Sequence, residues 1–176
     1  GYSAGMRIES LSIVPMLAMG NAMSTFTAQN MGAGKIDRVK KGYRMCYVIV
    51  LTAGAVLCVM YQLAGGAFVS LFLDSGSSEA YSVGLSYVKF LSFFYSFIGL
   101  KASTDGLLRG AGDVTAFTVA NLVNLAIRVS VTNLFAPIYG IQVAWMAVPL
   151  GWAANYVISF GWYLTGKWKK VRVIKK

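Results

Sequence analysis

The two longest charge-free stretches of the chain constrain the fold more than any other feature. They cover residues 45–73 and 129–166. About 20 apolar residues in an α-helix, each rising 1.5 Å, cross the roughly 30 Å hydrocarbon core of a bilayer. Runs of this length therefore predict membrane-spanning helices.

Composition supports the same class. Of 176 residues, 57% are hydrophobic and only 12% are charged, whereas a typical soluble domain carries about 25% charged residues. A chain of 19.0 kDa cannot hide so much apolar surface in its own interior. The sequence therefore predicts an integral membrane protein.

Cut to bilayer length, the apolar sequence predicts an all-α, polytopic bundle of five membrane-spanning helices. The segments are residues 10–28, 43–73, 81–108, 114–135 and a last one that follows a turn at 136–140 and ends by 166. Residues 1–166 form the predicted bundle and residues 167–176 a basic tail. In the first segment, Ala18 with Ala22 and Gly20 with Ser24 have the four-residue spacing that lets helix backbones approach closely in lipid.

The net charge of +10 is concentrated in two short segments. Residues 35–44 hold five basic residues and one acid, and residues 167–176 hold six basic residues and no acid. Because Lys- and Arg-rich connections stay in the cytoplasm, we expect the first helix to enter from outside and the C-terminus to be cytoplasmic. Anionic lipids explain these segments without nucleic acid, and Trp168 is expected to anchor the tail at the membrane interface.

Several kinds of site are absent from the sequence. There is no His, which excludes imidazole-based metal sites and His-dependent catalytic triads. Residues 32–35 read GAGK but lack the spacing of a phosphate loop, and no nucleophile–base pair is visible. We therefore predict no metal, no catalytic residue and no enzyme. No cleavable signal is visible either, and a chain that begins inside an apolar segment looks like a fragment.

Ionisable residues inside the predicted helices are the first candidates for function, since a charge near the bilayer centre costs at least about 2.5–3.5 kcal/mol. Lys101, Asp105 and Arg109 are spaced four apart and share one helix stripe. They form either a neutralised ladder or part of a gating or transport site. Glu9 is the other acidic candidate for binding a transported cation.

A second polar stripe lies on the fourth segment. Asn121, Asn124 and Arg128 fall on one helix face, and Arg128 lies about 21 Å past the start of that helix. An arginine at this depth needs a partner on another helix, for which Glu9 and Arg7 are candidates. The stripe is either a structurally paired polar network or the lining of a cavity.

Backbone irregularities are also predicted. Pro15 and Pro149 lie inside the first and fifth segments, where each permits a kink that either serves alternating access or is merely tolerated. Residues 32–34 and 110–112 both read GAG after a helix, which predicts two similar helix-ending turns, and Asp113 is placed to cap the following helix.

Several short motifs, taken in order, resemble the multidrug and toxic compound extrusion (MATE) transporters. They are MRIES at 6–10, QNMGAGK at 29–35, DRVKKG at 37–42, LRGAGD at 108–113, IR at 127–128, GI at 140–141 and Trp145. The resemblance implies an antiporter of two six-helix lobes, of which this chain looks like helices eight to twelve. It implies export of cationic amphiphilic compounds in exchange for Na⁺ or H⁺, with no other cofactor.

The resemblance also implies the setting. The expected partners are small cationic substrates, membrane lipids and an N-terminal lobe of the same protein, and the expected location is the plasma (inner) membrane. Some family members carry an acid in the middle of the tenth helix, but residues 98–100 here are Ile-Gly-Leu. Two alternatives remain open: a lipid-linked saccharide flippase of related architecture, and a non-transporting membrane scaffold subunit.

Overall fold

A computed structural model describes residues 2–73, 78–140 and 142–170, and within these ranges it is all helical. Its elements are α1 (Tyr2–Gly32), α2 (Ile36–Ser70), α3 (Ser78–Ser92), α4 (Tyr95–Gly110), α5 (Val114–Tyr139), α6 (Gln142–Leu164) and a 3₁₀ helix (Lys167–Lys170). Four helices are long and apolar enough to span a membrane, and a fifth span results if α3 and α4 are counted together. The predicted all-α membrane bundle is confirmed.

The third predicted span is broken, which corrects the expectation of one helix over 81–108. α3 and α4 meet at Phe93 and Phe94 with a bend of 51°. The side chain of Gln62 on α2 explains how the break is tolerated: its Nε2 donates to the carbonyl oxygen of Lys89 and to Ser92 Oγ, both at 3.0 Å. A break whose freed carbonyl is satisfied by a side chain of a neighbouring helix is compatible with membrane depth.

The turn predicted at residues 136–140 is also shorter than expected. α5 continues through Pro137 to Tyr139, and the helix ends at Gly140, whose φ of +83° is a conformation that favours glycine. Proline removes a single backbone donor and so does not by itself end the helix here.

Glycines bring α1 and α4 into direct backbone contact. A Cβ added to Gly106 would lie 2.1 Å from the carbonyl oxygen of Gly20, and one added to Gly110 would lie 2.2 Å from that of Ser24. One of the two small-residue pairs predicted on α1 thus faces matching glycines four apart on α4. The other pair, Ala18 and Ala22, is exposed.

The two GAG turns adopt the same structure. Gly34 and Gly112 have φ of +70° and +83°, and the amide of the residue after each bonds to a carbonyl five residues back, at 2.8 and 2.9 Å. This is the Schellman pattern of a helix C-terminus. Asp113 accepts from the Ala116 amide at 3.4 Å, so its predicted capping role is confirmed.

The start of the predicted basic tail packs against the bundle. Trp168 is fully buried, stacks on Tyr163 with ring centroids 5.6 Å apart, and donates to the Tyr163 carbonyl at 3.1 Å. Because the 3₁₀ helix folds the ring back onto α6, Trp168 is buried in protein and not exposed as a free anchor, while its position at the membrane interface stays a prediction. Residues 171–176 lie outside the described ranges, and the domain boundary at 166 stays a prediction.

Candidate functional site

A buried ion pair lies at the centre of α4. Lys101 Nζ is 2.9 Å from Asp105 Oδ2, and the two side chains are 14% and 6% exposed. The pair has the i,i+4 spacing predicted from the sequence, so the helix itself holds the charges in contact. Few carboxylates are this buried unless they are paired.

Helices α5 and α6 complete the surroundings of this pair. Asn121 on α5 bridges the two charges: its Oδ1 accepts from Lys101 Nζ at 3.2 Å and its Nδ2 approaches Asp105 Oδ2 at 3.4 Å. Ser159 on α6 donates to Asp105 Oδ1 at 2.6 Å. Both carboxylate oxygens are therefore hydrogen-bonded, by residues from three helices.

Asn155 extends the cluster one turn back along α6. It is fully buried, and its Oδ1 lies 3.3 Å from Ser159 Oγ, while its Nδ2 has no hydrogen-bond partner among the residues that the structure describes. A buried donor without an acceptor is uncommon and costs about 1–3 kcal/mol. We call Lys101, Asp105, Asn121, Asn155 and Ser159 together the Asp105 site.

The Asp105 site opens into a cleft of about 250 Å³ between α1, α4 and α5. Besides Lys101, Asp105 and Asn121, the cleft is lined by Asn21 and Arg109, with Leu17 and Phe117 among its apolar walls. Arg109 Nη2 donates to Asn21 Oδ1 at 2.7 Å, and its guanidinium lies 5.6 Å from the centre of the Phe117 ring. The three members of the α4 stripe thus line one cleft.

Glu9 lies outside the Asp105 site. Its Oε2 accepts a 2.5 Å hydrogen bond from Tyr87 on α3, and the Tyr87 ring packs on Trp145 with centroids 5.4 Å apart. Glu9 lies eleven residues before Gly20, which touches α4 beside the Asp105 site, so about 16 Å of helix separates the two carboxylates. The structure therefore does not bring the two acidic candidates together.

The second polar stripe is divided. Asn121 joins the Asp105 site, whereas Asn124 is buried with its Oδ1 against Gly151 and without a hydrogen bond. The methylene groups of Arg128 also pack at Gly151, and its charge acts on Glu9 from beyond the 4.0 Å of an ion pair. Within the described residues no hydrogen bond joins these three side chains to one another.

The two prolines occupy different surroundings. Pro15 is exposed on α1, and Pro149 is buried in α6; both helices continue past them. Pro149 lines an apolar cleft of about 240 Å³ together with Phe90, Phe94, Phe97, Met146, Leu150 and Ala153. This cleft adjoins the break between α3 and α4. In the described part of the chain, no three His, Cys, Asp or Glu side chains lie close enough together to hold a metal ion.

Sequence reasoning found Lys101, Asp105 and Asn121 but missed Ser159 and Asn155. The only signal for the missed residues was their i,i+4 spacing inside a charge-free helix. Nothing in the local sequence indicated that they face an acid on α4, which lies 54 residues before Ser159.

The chain is similar to several transport proteins. The family described as MatE matches residues 1–148. The chain is 28% identical to the probable multidrug resistance protein YpnP of Bacillus subtilis (strain 168), over 98% of this chain and 39% of that protein. It is 21% identical to the probable multidrug resistance protein NorM of Thermotoga maritima, over 100% of this chain and 38% of that protein.

The fold is also similar to that of a solved structure. That structure is described as the inward-facing conformation of a multidrug resistance MATE family transporter of the MOP superfamily. The TM-score is 0.78 with 18% sequence identity, covering 98% of this chain and 38% of that one. This similarity concerns the fold alone. The chain thus spans about two fifths of the length of the relatives that it matches.

Proposed function

The chain belongs to the MatE family, and we propose that it forms most of one lobe of a secondary antiporter that exports cationic amphiphilic compounds in exchange for Na⁺ or H⁺. It is an integral, multi-pass membrane protein, and its family membership indicates a transporter rather than an enzyme. In this proposal the rest of a longer protein, including an N-terminal lobe, supplies the opposite wall of the transport pathway.

The observation that carries the proposal is the Asp105 site at the edge of an open cleft. Ionisable groups inside a membrane are costly, and they normally mark the pathway of an ion or substrate. Asp105 is buried, yet it lines a cleft that three helices leave open. A carboxylate in such a position attracts a cation, and the Phe117 face offers apolar and cation–π contact to an amphiphile.

The proposed mechanism is rocking of two lobes, which exposes a central cavity to one side of the membrane at a time. Asp105 would bind the transported organic cation or a coupling proton in one state and release it in the other. Helices α3 and α4, which bend at a break, and α6, which contains Pro149, are the proposed places where the lobe flexes.

Efflux of a cationic dye such as ethidium tests the proposal. Cells producing the complete protein should lose dye at least about tenfold more slowly with Asp105→Asn, a change that corresponds to about 1.4 kcal/mol in the transport barrier. Asp37→Asn is the matched control, because Asp37 is an exposed acid whose side chain is 89% accessible. Normal efflux by a well-expressed Asp105→Asn variant would remove Asp105 from the mechanism.

A second candidate function is the flipping of an anionic, lipid-linked saccharide. The observation in its favour is the charge of the cleft: Lys101 and Arg109 line it with Asp105 as its one acid. On this alternative, Arg109→Gln abolishes transport of the anionic lipid, and the complete wild-type protein gives no efflux of the cationic dye. A scaffold subunit instead predicts no flux of either compound from vesicles that contain the complete protein.

Orientation and location are part of the proposal. We place the C-terminus in the cytoplasm of a cell whose plasma (inner) membrane holds the protein, because the two basic segments then lie on the cytoplasmic side. A fluorescent reporter fused after Lys176 should fluoresce in the cytoplasm; a reporter that is active only outside would reverse the topology.

A further inference from the structure

We propose that Lys101 is a tethered cation that occupies the position of a free monovalent cation in the Asp105 site, so that the native lobe binds no Na⁺ there. Any effect of Lys101 on Na⁺ or H⁺ coupling rests on the proposed transport function. The statement that Lys101 replaces Na⁺ does not, since it concerns only which cation neutralises Asp105.

The first argument is the arrangement of oxygen atoms. Four side-chain oxygens belong to the site: both carboxylate oxygens of Asp105, Asn121 Oδ1 and Ser159 Oγ. They come from three helices. Carboxylate and amide oxygens are the ligands that hard cations prefer, and transporters bind coupling ions through such groups. In this structure the Lys101 ammonium holds two of these oxygens, at 2.9 and 3.2 Å.

The second argument is the charge balance. Apart from Lys101, every hydrogen-bond partner of Asp105 is neutral. The nearest other cation on α4 is Arg109, which is engaged with Asn21 and Phe117, and Arg128 lies about 10 Å further along α5 than Asn121. α6 contains no charged residue. Without the Lys101 charge, the buried carboxylate would therefore either take up a proton or bind a cation such as Na⁺ from solution.

The third argument concerns access and spare donors. Lys101 lines the open cleft on a flexible four-carbon stem, so its ammonium can leave Asp105 without a change in the helices. A half-turn of the buried Asn155 amide would let its unpaired Nδ2 donate to Ser159 Oγ while Ser159 still donates to Asp105. The neutral part of the site can thus remain assembled while the cation changes.

Sodium-dependent thermal stability of the complete, purified protein tests the inference. NaCl is compared with N-methyl-D-glucamine chloride at equal ionic strength. The wild type and Lys101→Arg should show no specific effect of Na⁺. Lys101→Gln should gain a saturable rise in Tm of about 3 °C when Na⁺ is in hundredfold excess over its dissociation constant. Adding Asp105→Asn to Lys101→Gln should abolish that gain.

Binding of radioactive ²²Na⁺ to the wild type and to Asp105→Asn provides a second measurement, which does not require Lys101→Gln to fold. Equal binding by the two proteins supports the inference. Binding by the wild type that Asp105→Asn removes would overturn it, as would a folded Lys101→Gln that does not respond to Na⁺. Dye efflux is not part of either measurement, so failure of the transport proposal would be recognised separately.

Discussion

Replacement of Gly106 by alanine tests the contact that positions α4 beside α1. The new Cβ would lie 2.1 Å from the carbonyl oxygen of Gly20 and 3.2 Å from its Cα. Unstrained contacts between carbon and carbonyl oxygen start near about 3.3 Å, so the helices must separate by about 1 Å. The obstructing atom is backbone, so no side chain can rotate to relieve the clash.

The expected cost follows from this geometry. Overpacking of a close-packed interface usually costs about 1–3 kcal/mol, and a backbone clash falls at the upper end of that range. A protein as long as its relatives, of which this chain covers 38–39%, loses about 1 °C of Tm per kcal/mol, so Gly106→Ala should lower the Tm by roughly 2–3 °C. The loss is sharper in lipid than in water, because helix association there depends on close van der Waals contact.

Gly161→Ala is the matched control. Gly161 lies in α6, and a Cβ added there meets no atom within 4 Å. The same chemical change should therefore be neutral or stabilise the protein by about 0.5–1 kcal/mol, because alanine loses less backbone entropy in a helix. Both variants are compared with the wild type by tryptophan fluorescence during heating of the complete protein in detergent.

The reasoning also predicts how neighbouring changes combine. A Cβ on Gly20 would lie 2.6 Å from the carbonyl oxygen of Ala102 in the same interface. Once the helices have separated for one new methyl group, the second is accommodated at less cost, so the double variant should lose less stability than the two single losses together. A Gly106→Ala variant that melts within about 1 °C of the wild type would refute the close-contact argument.

Three further substitutions test other parts of the fold. Gln62→Leu removes both hydrogen bonds at the break between α3 and α4. It should lower the free energy of unfolding, measured with urea or by heating, by about 1–3 kcal/mol. An unchanged stability would mean that the break does not depend on Gln62. Trp168→Ala should cost about 3–5 kcal/mol and make the chain after residue 166 sensitive to protease, whereas exposed Lys170→Ala should leave both unchanged. Asp113→Ala removes the α5 cap and the carboxylate that accepts a 2.7 Å hydrogen bond from Trp162 Nε1. It should lower the free energy of unfolding by about 1–3 kcal/mol and alter the tryptophan fluorescence spectrum. An unaltered spectrum would count against the contact between Asp113 and Trp162.

Local features of the chain were predicted well. Charge-free length predicted the membrane helices, and the GAG sequences predicted two helix-ending turns that the structure forms at Gly34 and Gly112. The family resemblance, based on short ordered motifs, is confirmed by the match over residues 1–148. Each of these depends on adjacent residues: hydrophobicity acts residue by residue, and a glycine C-cap requires only one backbone conformation.

Contacts between distant residues were predicted only in part. The i,i+4 spacing sufficed to place Lys101 beside Asp105, because a helix fixes that distance by itself. The break after Ser92 was not predicted, since neither glycine nor proline marks it and the group that satisfies it comes from Gln62 on another helix. The burial of Trp168 against Tyr163 was not predicted, because a basic, aromatic segment is as compatible with the membrane surface as with packing on the bundle.

The sequence by itself determined that this chain is a membrane-embedded helical bundle of the MatE type with its charges confined to a few positions. Only the tertiary structure decided which polar groups meet: Ser159 and Asn155 with Asp105, and Glu9 with Tyr87 rather than with the α4 stripe. The physical reason is that lipid is as apolar as a protein core, so the apolar pattern of a membrane helix does not specify which face meets its neighbours. That choice depends on glycine contacts such as Gly20 with Gly106, which are formed between helices far apart in the chain.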